Sequence, residues 1–263
     1  MGLNRLRSAL QLESVDEVLR DRLWNVIHTF CMPDAVRPEY TAYNLDGFPK
    51  TRWFFQGVWH GFFRRSMDEI PLLWHLAYER LKNEYKILKW YEVYDFLEFI
   101  GKQIPNPRGI DTVGFANACN EVLEQEMSGY RFVGNEIAAI IDDQEIAAVE
   151  EALSPGLRSD PVQTHLTRAL ELFADRQNPD YRNSIKESIS AVEASCQQAT
   201  GNKAATLGDA LKKLKASASL HPALEMAFQK LYGYTNDADG IRHALKEGSS
   251  LTLADAKFML VLT

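Results

Sequence analysis

Apolar residues recur at helical spacing along almost the whole chain, and one short stretch alone breaks that pattern with a β signal, so the fold has to be built mainly from helices packed on helices. Tyr130, Arg131, Phe132 and Val133 precede Gly134-Asn135, and Glu136 to Ile141 follow. This predicts two short strands joined by a two-residue turn. A lone hairpin is marginal in water and must pack on helices. The chain is therefore read as mainly α, with one small β-hairpin at about 130–141.

The helices around the hairpin can be placed. Val15, Val18, Leu19, Leu23, Val26, Ile27 and Phe30 form an amphipathic helix from Ser14 to Phe30, with Ser14 and Glu17 as a capping box. Pro, Gly, Asn and Asp between Pro33 and Pro49 predict a loop that returns to helix near Arg52. Three helices are expected near 52–65, 69–83 and 88–101. They carry Trp53, Phe54, Phe55, Trp59, Phe62, Phe63, Trp74, Tyr78, Tyr85, Trp90, Tyr91, Tyr94, Phe96 and Phe99. Such a belt can stack bases, with Arg52, Arg64 and Arg65 nearby, or it can fill a core. Trp90, Tyr94, Leu97, Phe99 and Ile100 stand three and four apart, as a core-facing helix requires. That favours the core and leaves Arg64 and Arg65 as a modest basic patch.

A further helix is expected from Thr112 to Glu126, and another from Asp142, acting as cap, to Leu153. Pro155, Gly156 and Pro161 in SPGLRSDP then interrupt helix and strand alike, and we divide the chain there into domains of 1–155 and 156–263. In the second, a helix at about 161–176 is followed after Asn178-Pro179 by one with Tyr181, Ile185, Ile189, Val192 and Cys196 on its apolar face. Ser184, Ser188, Ala191 and Ser195 make a stripe of small side chains on that helix, which lets another helix approach closely, from within the chain or from a second copy. Helices near 206–216 and 222–232 lead on to Tyr232. The chain stops inside an apolar run, Phe258 to Thr263, with no stop signal. Part of the last helix is therefore expected to be missing.

Composition excludes several functions. With 263 residues and 46% hydrophobic side chains the chain can bury real cores, and a net charge of -7 rules out a broad electrostatic grip on nucleic acid. Nucleic-acid contact would have to be local. Cys31, Cys119 and Cys196 are too few and too scattered for a disulfide framework or a zinc knuckle, and read as buried thiols. The six histidines show no ligand spacing, so no metal or other cofactor is expected. No Walker loop, GxGxxG fingerprint or GxSxG elbow occurs, and no apolar run is long enough to span a membrane. We expect a cytoplasmic protein.

If the chain does chemistry, the segment YGYTNDADGIRHALKEGSSLTLADAKF, Tyr232 to Phe258, is where the sequence places it. Asp239 is placed to cap a short helix that Gly248 stops, which puts Arg242 and His243 in its first turn, where free backbone N–H groups favour an anion such as phosphate. The alternative is structural: Arg242 paired with Asp237 or Asp239, and His243 capping a neighbouring helix. Thr252 and Asp255 form a second capping-box pair before the apolar run that ends the chain.

These segments resemble a known family. NEVLEQEMSGYRFVGNEIAAIIDDQEIAAVEEAL (Asn120 to Leu153), RDRLWNVI (Arg20 to Ile27) and WYEVYDFLEF (Trp90 to Phe99) are similar to the N-terminal helical domain of AbiJ-type abortive-infection proteins. NPDYRNSIKESISAVEAS and LYGYTNDADGIRHAL resemble the HEPN-like helical domain that follows it in such proteins. The resemblance implies a prokaryotic antiphage defence protein with a HEPN-like bundle at 156–263, a homodimer through that bundle, and metal-independent cleavage of RNA. In HEPN ribonucleases an Arg is followed four to six residues later by a His, and one basic group assists 2′-OH attack while the Arg stabilises phosphoryl charge. Here Arg242 and His243 are adjacent, about 100° apart on a helix. The positions four to six after Arg242 are Lys246, Glu247 and Gly248, and Arg182 has no His within reach in sequence.

Two functions therefore stand side by side. In the first, an RNase effector, Arg242 binds phosphate, His243 acts as acid or base, Asp239, Glu187 or Glu193 orients them, and Arg64, Arg65 and Arg182 contact RNA. In the second, a non-catalytic helical module senses, recognises or oligomerises, with Arg242 and His243 structural.

Overall fold

The computed structural model describes residues 10–32, 44–103, 111–154, 160–202 and 251–263, with scattered positions between 204 and 233. The protein is mainly α, and the two-stranded antiparallel hairpin is the one sheet among the described residues. The chain forms two compact units, Met1–Ala139 and Ile140–Thr263.

The first unit holds helices α1 (Glu17–Cys31), α2 (Pro49–Gly57), α3 (Trp74–Lys86), α4 (Trp90–Gln103) and α5 (Thr112–Gln125), then strands β1 (Arg131–Val133) and β2 (Glu136–Ala138). α1 starts later than Ser14. Its cap is Asp16, whose carboxylate accepts from Leu19 N at 2.9 Å, and the Asp16 N–H donates to Gln11 Oε1 at 2.9 Å. Gln11 thus does from the N-terminal side what Glu17 was expected to do from within the helix. α2 begins at Pro49 rather than near Arg52, since a first-turn proline loses no helical hydrogen bond. It passes into a π turn, Val58–Phe62, and the chain leaves helix at Arg64 with φ 53°. Gly61 is needed in that turn, because a Cβ there would come within 2.5 Å of the Phe99 ring. The helix expected from 69 begins at Trp74 because Pro71 holds Ile70 extended.

The aromatic belt is core. Phe54, Phe55, Trp59, Tyr85, Tyr94 and Phe96 are buried, and Trp53, Phe62, Phe63, Trp74, Tyr78, Trp90 and Phe99 are packed against them. Phe96 is a hub, its ring centroid 4.9 Å from Phe62 and 5.8 Å from both Phe63 and Tyr85. Trp24 Nε1 donates to Tyr78 Oη at 2.9 Å, so even the polar edge of a buried indole is satisfied. The hairpin turns at Gly134-Asn135, with Gly134 at φ 58°, and pairs Arg131 with Ala138. Helix side chains finish its edges. Asn120 bonds both the N–H and the carbonyl of Phe132, at 2.7 and 3.0 Å, and Glu98 accepts from Ile137 N. This is how a marginal hairpin is held on α4 and α5.

The second unit holds α6 (Asp143–Leu153), α7 (Asp160–Ala174), α8 (Tyr181–Thr200) and α9 (Leu253–Leu262). Asp142 caps α6, as the sequence indicates, accepting from Gln144 N and Glu145 N at 3.0 Å. Ala152, Val162, Leu166 and Ala191 form a small apolar cluster where α6, α7 and α8 meet. Ser184, Ser188 and Ala191 are fully buried, and Ser184 Oγ donates to the Ala169 carbonyl of α7 at 2.8 Å. The small-residue stripe therefore serves an internal contact. α9 carries the expected Thr252–Asp255 capping box, packs Ala256, Met259 and Leu260 inward, and ties to α6 through Lys257 Nζ and Glu145 Oε2 at 2.9 Å. The described positions in 208–212 and 222–233 are helical.

Candidate functional site: the α7–α8 face

Arg242, His243 and Asp239 lie outside the described residues. Glu187 and Glu193 both stand on α8 but six residues apart, about 120° around the helix, and do not converge. Glu193 lies near Cys196, whose thiol is raised chiefly by burial and further by that carboxylate. Arg182 is half-buried in the first turn of α8. In the first unit, Arg65 is engaged: its guanidinium is bidentate to Glu84 at 2.7 and 3.0 Å and lies 5.7 Å over the Trp59 ring. Arg80 covers the same ring at 5.4 Å. Arg64, next to it, is exposed on its left-handed backbone. Cys31 and Cys119 are buried, and desolvation pushes both thiols up, which makes them inert fillers of the core.

Glu187 has a partner that the sequence did not suggest. His165 of α7 places Nδ1 2.7 Å from Glu187 Oε2, joining the two helices across 22 positions of sequence. An ionised carboxylate can only accept, so Nδ1 is the donor of this pair. The pair is half-open to solvent, with His165 37% and Glu187 22% exposed. Antiparallel packing produces the meeting. Ser184 bonds Ala169, so positions one turn further along α8 face positions one turn earlier on α7.

Arg168 stands one turn beyond His165 on the same side of α7. It pairs with Glu171 at 2.9 Å, with 57% and 42% of the two side chains exposed, a surface contact worth under about 1 kcal/mol. Arg168 also lines a groove of about 530 Å³ along α7, with Asp160, Gln163, Thr164, Thr167 and Glu171. The guanidinium of Arg168 thus belongs to this polar groove, while His165 does not line it. Neither His165 nor Arg168 was singled out from the sequence, because their order in the chain, His-x-x-Arg, matches no motif and Glu187 lies on another helix. Among the described residues, no group of three or more His, Cys, Asp or Glu is arranged to hold a metal ion, and no helix is long and apolar enough to cross a membrane.

Comparison with known proteins adds one finding. Residues 1–155 match the family described as AbiJ N-terminal domain 4. No curated protein and no solved structure matches the chain.

Proposed function

The chain belongs to the AbiJ N-terminal domain 4 family, which places it in abortive-infection antiphage defence, and from that premise we propose that it is an effector that cleaves RNA without a metal. The match over residues 1–155 supports the defence part of this reading. Effector chemistry is assigned to residues 156–263, read as a HEPN-like bundle that pairs two copies of the chain. Helices α7, α8 and α9 within it pack on one another, as an effector bundle requires. In this reading Arg242 binds the scissile phosphate and His243 exchanges protons with it, with Asp239 beside them. RNA contact falls to Arg182 and to Arg64, which is exposed where Arg65 is held by Glu84.

The adjacency of Arg242 and His243 favours a second reading, since residues about 100° apart on a helix diverge. In that case the second unit recognises or oligomerises and cuts nothing. Phage plating separates protection from its loss, and RNA gels separate the mechanisms. Cells carrying the wild type should plate phage poorly, and the purified protein should cut total RNA or tRNA in EDTA. The Arg242→Ala/His243→Ala double variant should lose both effects with an unchanged melting curve. Protection by wild type with RNA left whole would sink the RNase reading and favour the recognition module.

A further inference from the structure

We draw no further inference here: the strongest candidate, the uncharged stripe of Ala254, Phe258 and Leu262 left exposed along α9, carries nothing because nothing in the structure shows what covers it.

Discussion

The two units fill their interiors by opposite means. In Met1–Ala139 large rings meet ring to ring, with Phe96 touching Phe62, Phe63 and Tyr85. In Ile140–Thr263 aliphatic side chains such as Leu166, Leu170, Ile185 and Ile189 fill the interior, and α7 and α8 close up over Ser184, Ser188, Ala191 and Ala169, where a serine hydroxyl bonds the neighbouring helix directly. The first unit tolerates irregular backbone because wide side chains bridge uneven gaps, and its π turn at Val58–Phe62 and its short 3-10 turns are of that kind. The second depends on close approach of regular helices. A ring-filled core is therefore most sensitive to removal of atoms, and a helix contact made over small residues to their addition.

Phe96→Ala should have the largest effect, about 3–5 kcal/mol, since it empties the hub of the first core. All five tryptophans, Trp24, Trp53, Trp59, Trp74 and Trp90, belong to that unit, so tryptophan fluorescence in urea reads it alone. The fluorescence midpoint should fall sharply while a separate far-UV component stays in place. Coincident loss of both signals would mean that the units unfold as one, against the division into two.

Ala191→Leu is the converse test and the next in size. Its site between α7 and α8 is fully buried, so the added atoms should cost about 1–3 kcal/mol, seen by circular dichroism with the fluorescence transition unmoved. Ser184→Ala, which removes one hydroxyl bond to a carbonyl and leaves the shape, should cost less than about 1.5 kcal/mol. If Ala191→Leu were neutral, the close-approach account of the second unit would fail.

The comparison also explains what could be read from sequence. Periodicity placed the helices, and the Gly134-Asn135 turn gave the hairpin, because both are local signals. Asp142 and the Thr252–Asp255 pair were legible as caps for the same reason. Ser14 is not the cap because Asp16, two residues on, takes that place: its carboxylate accepts from the Leu19 N–H, and Gln11 accepts from the Asp16 N–H from outside the helix pattern. α3 starts later than periodicity suggests because Pro71 holds Ile70 extended. Pairings across helices stayed hidden. Arg65 with Glu84 and His165 with Glu187 are separated by 19 and 22 positions, and nothing in either stretch marks its partner. The boundary illustrates the same limit: Pro155 and Gly156 stand out as breakers, and the family match runs to residue 155, yet α6 packs with α7 inside the second compact unit.

Smallest, and confined to the second unit, is the effect of the cap of α9. Asp255 accepts from the Thr252 hydroxyl at 2.7 Å and the Thr252 N–H at 2.8 Å, and these bonds, the hydroxyl first, hold its carboxyl below the ordinary aspartate value. A depressed folded value means that the stabilisation is fully present above the unfolded aspartate range, about pH 3.9, and is lost as pH falls through the lower folded value. The box should therefore be indifferent to pH near neutrality and fail only in acid. Thr252→Ala should cost about 1 kcal/mol at neutral pH. Asp255→Asn should flatten the acid limb of the far-UV melt while leaving the tryptophan transition of the first unit unchanged. An identical acid limb in wild type and Asp255→Asn would show that the capping box does not contribute to the pH dependence. A shifted tryptophan transition would show instead that α9 reaches the stability of the aromatic unit, and the two interiors would no longer be independent.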